Sequence, residues 1–178
     1  MSIASSCIIL GIDPGSRVTG FGIIKNVANT NYYVASGCIR CSVSKLPQRI
    51  QQIFNGMQEL MQQYQPDEIA IEEVFVGLNS SGALKLGQAR GAALAGVFSK
   101  GDASVAEYSA RQVKKSVIGY GAATKEQMQH MVCKLLGLTA KPAQDAADAL
   151  GIALCHSYTR RGLAPLIGAS KMTRGRIK

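Results

Sequence analysis

Between Cys7 and Lys25 the chain reads CIILGIDPGSRVTGFGIIK, and that stretch limits the fold more than any other. The run Cys7 to Ile12 has the length of a buried strand. It ends on Asp13, after which Pro14-Gly15 turns the backbone. The second run, Val18 to Ile24, carries Gly20 and Gly22, so the pair is expected to form a hairpin with close backbone approach beside its turn. A carboxylate at a strand tip is costly to desolvate unless a cation, a donor or water meets it. Taken alone, Asp13 serves equally well as a cap on the Pro14-Gly15 turn.

Downstream, Tyr32 to Cys41 reads as a third strand, with Gly37 expected at a bulge. From Leu46 to Tyr64 the period becomes helical, with Leu46, Ile50, Ile53, Phe54, Met57, Leu60 and Met61 on one face and glutamines on the other. Pro47 suits the first turn of that helix and Pro66 follows its end. Glu68 to Phe75 is expected as a fourth strand. Reached through a helix, it should run parallel to the first, which would bring Asp13 and Glu72 together.

Gly82 to Ser99 predicts a helix rich in Ala, Leu and Gly, in which Gly87, Gly91 and Gly96 each need a packing reason. Lys85, Gln88 and Arg90 interrupt it and argue against a membrane helix. Ala103 to Tyr108 is a short fifth strand and Ser109 begins another helix. Thr124 and Gln127 form a capping box for a helix running to about Leu136. Pro142 opens the last helix, to about Tyr158. This order predicts an α/β layer architecture, a mixed five-stranded sheet flanked by helices. Residues 1–160 are expected as one domain, and residues 161–178, with five bases and no acid, as a flexible cationic tail.

Asp145 and Asp148 lie three apart on this Ala-rich last helix, on one face, where like charges repel unless a cation intervenes. An exposed first turn favoured by the helix dipole is the alternative. Beside Asp13 and Glu72 they complete a set of four oxygen donors suited to Mg²⁺ or Mn²⁺. A pair of such ions is suited to attack on a phosphodiester. Alternation along the strand leaves Glu73 as a rival to Glu72.

Net charge is +9, and setting those four acids aside leaves 20 bases against 7 acids, or +13. Such an excess favours a polyanionic partner. Five cysteines do not make a disulfide framework and suit a reducing cytoplasm. In the pair Cys38 and Cys41, three apart on a strand, the side chains point to opposite faces, which disfavours a metal or redox site. No apolar run reaches the roughly 18 residues of a membrane span, and Met1 to Cys7 lacks a signal pattern.

Together GIDPGSRVTGFG, IEEVF, ALKLGQARG and DAADAL, in this order, closely resemble the RuvC family of Holliday-junction resolvases over Ile8 to His156. The resemblance implies a ribonuclease H-like fold and a homodimeric, Mg²⁺-dependent endonuclease. Such an enzyme nicks two strands of a four-way DNA junction symmetrically, in recombination and repair, alongside the branch-migration proteins RuvA and RuvB. It implies Asp13, Glu72, Asp145 and Asp148 as catalytic metal ligands, two ions per subunit, and favours Glu72 over Glu73. It makes Phe75 the aromatic that stacks on an unpaired base and places Lys114 and Lys125 near the scissile phosphate. Arg111 and Lys115, on the same helix as Lys114, join them as candidate DNA contacts. Gly82 and Glu73 depart from the family pattern, where a small hydroxyl residue and a glutamine are expected.

His156, eight residues past Asp148, lies roughly 12 Å along the helix and cannot share its metal. His130, mid-helix, is expected to be structural. Two other function classes compete: an actin-like phosphate-binding ATPase, for which 178 residues supply no second lobe, and a catalytically silent DNA-binding module.

Overall fold

The computed structural model describes residues 6–74 and 80–162. Phe75, and the tail beyond Gly162, lie outside the described residues. The elements run β1 (Ser6–Asp13), β2 (Val18–Val27), β3 (Thr30–Arg40), α1 (Leu46–Tyr64), β4 (Glu68–Glu72), α2 (Ser80–Phe98), β5 (Ser104–Tyr108), α3 (Ala110–Ile118), α4 (Lys125–Leu136) and α5 (Gln144–Arg160).

The sheet order is β3-β2-β1-β4-β5. β1 and β2 are antiparallel, with Asp13 opposite Gly20, whereas β1–β4 and β4–β5 are parallel. The expected meander and parallel crossover are therefore both present. Two expectations shift. β4 ends at Glu72, although Glu73 N–H still donates to the Tyr108 carbonyl at 2.9 Å. The irregularity in β3 is not at Gly37: the register passes from Ala35 to Tyr33 opposite Ile23 and Ile24, so Val34 is the extra residue. Gly37 instead leaves room for the Phe21 ring, whose Cζ would stand 2.8 Å from an added Cβ.

Strand alternation sorts the core into two layers. Leu10, Ile12, Ile23, Ile69 and Ile71 pack with α1 and α2 on one face. Ile9, Ile24, Ala70 and Tyr108 pack with α3, α4 and α5 on the other. Asp13 has the parity of Ile9, and Glu72 that of Ala70, so both strand-end acids belong to the α5 face.

α5 lies directly on the strand backbones, and this sets the depth of the site. A Cβ on Gly11 would fall 2.1 Å from the Ala149 carbonyl, one on Gly22 2.5 Å from Leu150 N, and one on Gly20 2.0 Å from the Asp145 carbonyl. Any side chain at these positions would lift the helix and the two aspartates it carries. In α2 the glycines divide. Gly96 meets α1, at 2.6 Å from the Phe54 carbonyl, while Gly87 and Gly91 have nothing within 4 Å. The expected close backbone approach within the chain therefore holds for Gly96 alone of the three.

Candidate active site

The turn after Asp13 is closed by Thr19, not by Asp13. The Thr19 hydroxyl donates to the Gly15 carbonyl at 2.9 Å and accepts from Gly15 N–H at 3.3 Å. Asp13 is thereby left free of the turn, on the α5 face of the sheet. One cavity of about 180 Å³ is lined by Asp13, Glu72 and Asp148 together with Lys114 and Lys125, so residues more than 130 apart in sequence share one enclosure. Lys125 Nζ stands 3.9 Å from Asp148.

The acids hold one another's protons. Burial, reinforced by the charges of Glu72 and Asp148, raises Asp13 from 3.8 to about 8, and its carboxyl hydrogen-bonds Glu72. Burial also raises Glu72, opposed by the hydrogen bond from Asp13 and by Lys125 and Lys114. Asp148 is raised by burial and drawn back chiefly by Lys125. Buried like-charged carboxylates titrate apart in this way because both cannot ionise cheaply. Asp145 stands beside this group, adding to the field on Asp13 and Asp148. Its main chain rests on Gly20 and its charge reaches Cys38.

Among the described residues, no three acidic, histidine or cysteine side chains are already gathered around a single point. Mutual repulsion holds carboxylates apart, and the closest pair is joined by a proton. The donor set nevertheless fits a hard divalent cation: all oxygen, largely buried, with a proton on Asp13 where a cation could stand. Glu73 does not line that cavity; it lines an adjoining recess of about 300 Å³ that shares Asp13 and Glu72 with it and is completed by Pro14, Val74 and Leu86.

The family model described as crossover junction endodeoxyribonuclease RuvC matches residues 9–156. This chain belongs to the RuvC family. The RuvC of Photobacterium profundum is 53% identical over 172 residues, spanning 96% of this chain and 99% of that protein. The RuvC of Shewanella pealeana is 55% identical over the same shares. The structure of T. thermophilus RuvC in complex with Holliday junction substrate superposes with a TM-score of 0.79 at 33% identity, covering 88% of this chain and 97% of that one. The fold is ribonuclease H-like, and the chain is a nuclease, a crossover junction endodeoxyribonuclease by family.

Of the basic residues singled out in the sequence, Lys114 and Lys125 line the acidic cavity. Arg111 and Lys115 do not. Arg111 lies exposed with its stem against Gly121, where an added Cβ would meet its Cγ at 2.7 Å. His130 is exposed on α4 rather than built into the core. Cys38 and Cys41 are free thiols, as are the other three cysteines.

Arg90 has a role that sequence reasoning missed. From α2 its Nε donates to the Glu72 main-chain carbonyl at 3.3 Å, while Nη2 pairs with Glu107 on β5. The signal was present as the one arginine among the polar residues that interrupt an Ala-, Leu- and Gly-rich helix, but its partners could not be read without the sheet order.

Proposed function

We propose that this RuvC-family nuclease resolves four-way (Holliday) DNA junctions as a homodimer by paired symmetric nicks, with Asp13, Glu72, Asp145 and Asp148 as its metal ligands and Mg²⁺, two ions per subunit, as its cofactor. The convergence of Asp13, Glu72 and Asp148 with two lysines in one cavity carries this reading. Divalent cations held there would supply activation of a water and a counter-charge for the leaving oxygen in an in-line displacement at phosphorus. Mn²⁺ has the same ligand preference and should substitute.

The chain's own side chains do the rest. Asp13 and Glu72 give up their shared proton to become donors, and α5 brings Asp145 and Asp148 onto the same face. Lys114 and Lys125 hold the scissile phosphate at the rim, and Arg111 and Lys115 extend the basic surface along α3 towards a junction arm. Phe75, just beyond β4, stacks on an unpaired base at the crossover, a contact worth about 1–3 kcal/mol. Residues 1–160 act as the nuclease domain and 161–178 as a basic extension that adds to phosphate attraction.

Two paired cuts need two sites at fixed spacing, and the outer face of α2 is the candidate seam. Leu84 is 66% exposed there, beside an open recess of about 460 Å³ formed with Ser80, Ala83, Gly87 and Gln88. The enzyme works in the cytoplasm beside RuvA and RuvB. No helix among the described residues is long and apolar enough to cross a membrane.

The test is nicking of a mobile four-way junction against a linear duplex of the same sequence, with and without Mg²⁺. Junction-selective, Mg²⁺-dependent paired nicks that vanish in Asp145→Asn are expected. Equal cutting of linear duplex, or full activity in Asp145→Asn, would overturn the proposal.

A further inference from the structure

His156 cannot reach the acidic cavity, yet it sits in a tightly bonded polar cluster at the other end of the same helix. Its Nε2 lies 2.6 Å from Glu68 Oε2 and donates to that carboxylate. Its Nδ1, 2.8 Å from the Tyr108 hydroxyl, accepts from it. Arg160 Nε adds a cationic donor to the same Glu68 oxygen at 2.8 Å. Tyr108 and His156 are buried, so these bonds are shielded from water.

The placement of the cluster gives it meaning. Glu68 and Glu72 are the first and last residues of β4 and share its α5 face. On α5, Asp145 and Asp148 lie near the Glu72 end, while His156 and Arg160 lie at the Glu68 end. Glu68 and Glu72 are separated by about 13 Å of strand, and Asp148 and His156 by about 12 Å of helix. The two lengths match, so both ends of α5 can be in register with β4 at once. At one end carboxylate faces carboxylate and the helix is pushed away; at the other, cation meets carboxylate and it is drawn in. The glycines under α5 set its depth; along its axis, Ser157 ties it to Asn26 and Asn31 of β2 and β3, and His156 and Arg160 tie it to Glu68 of β4.

We propose that Glu68, His156 and Arg160, oriented by Tyr108, form a positioning clamp that holds α5 in axial register along β4 and keeps Asp145 and Asp148 within coordinating reach of a divalent cation shared with Asp13 and Glu72. The inference rests on the reading of those four acids as a metal site. None of the clamp residues touches the reacting atoms; they act through the helix that carries two of the ligands.

The test uses the full chain and two variants, Glu68→Gln and Tyr108→Phe, the second removing only one hydroxyl should the first fail to fold. Mn²⁺ binding is measured by calorimetry, junction affinity in EDTA by gel shift, and nicking across a Mn²⁺ titration. Ile53→Val, on the opposite face of the sheet, serves as a control for lost stability alone. Loss of an outer-shell orienting partner should weaken Mn²⁺ binding about tenfold. Junction affinity in EDTA should be unchanged, and the nicking rate should recover at saturating Mn²⁺. Wild-type Mn²⁺ affinity in a folded clamp variant would overturn the clamp, as would an equal loss in Ile53→Val. Failure of the wild type to bind Mn²⁺, or undiminished binding by Asp145→Asn, would overturn the four-acid reading beneath it.

Discussion

Asp13 and Glu72 end two neighbouring parallel strands and share a proton across the gap between them, Asp13 being raised to about 8. A carboxylic acid kept neutral in this way exchanges its proton for a cation when one binds.

Folded-state proton uptake by Asp13 sets a direction for stability. Its carboxyl titrates near 3.8 when unconstrained and near 8 in the fold, so between those values the folded state binds more protons than the unfolded chain. The contribution is fully present below about 4 and is lost as pH rises through about 8. In divalent-free buffer, urea unfolding should show wild type losing stability relative to Asp13→Asn across that window. By pH 8.5 Asp13→Asn should be more stable by roughly 1–3 kcal/mol. A constant difference between the two proteins would contradict the assignment. The same variant should bind junctions and fail to nick them.

Metal should act in the opposite sense to the proton. Because the cation needs the acids ionised, the rise in melting temperature on adding Mg²⁺ should be larger at pH 8 than at pH 6. At a hundredfold excess over the dissociation constant the stabilisation is about 2.7 kcal/mol. Asp148→Asn should reduce it at both pH values, as scanning calorimetry will show.

Gly20 and Gly87 should respond oppositely to alanine. An added Cβ at Gly20 meets the Asp145 carbonyl at 2.0 Å, so Gly20→Ala should displace the start of α5 and abolish nicking while junction binding persists. At Gly87 nothing lies within 4 Å, so Gly87→Ala should stabilise the subunit by about 0.5–1 kcal/mol. If α2 is the dimer seam, the same change should weaken self-association in sedimentation equilibrium.

Arg90 braces the end of β4 through the Glu72 carbonyl and is itself held by Glu107. Arg90→Ala should lower the nicking rate about tenfold at saturating junction, through displacement of Glu72, a cost of about 1.4 kcal/mol in the barrier. Arg90→Lys should recover little, because one ammonium cannot serve both partners as the guanidinium does. Single-turnover kinetics will separate this from lost binding.

Much of the architecture was legible in the sequence because it depends on short-range rules. Apolar period, Pro14-Gly15, the capping residues Ser109 and Thr124 and the proline before α5 act within a few residues of themselves. They placed all ten elements within a few residues of their observed bounds, except the far end of β4. The same locality explains the slip at Gly37: a glycine in a strand signals either a bulge or a close approach, and only the Phe21 ring opposite it distinguishes the two.

What the tertiary structure alone decided are the questions that span the chain. The sequence made Asp13, Glu72, Asp145 and Asp148 candidates and its family resemblance favoured Glu72 over Glu73, but only strand parity set against a particular helical layer put Glu72 beside Lys114 and Lys125 and left Glu73 in the adjoining recess. Lys114 was separated from Arg111 and Lys115 by the roll of α3, and His156 found Glu68 through the axial register of α5. These contacts join residues up to 135 positions apart, and their distances follow from sheet order and helix depth. Those are set by the packing of the whole core, which no local stretch of sequence encodes.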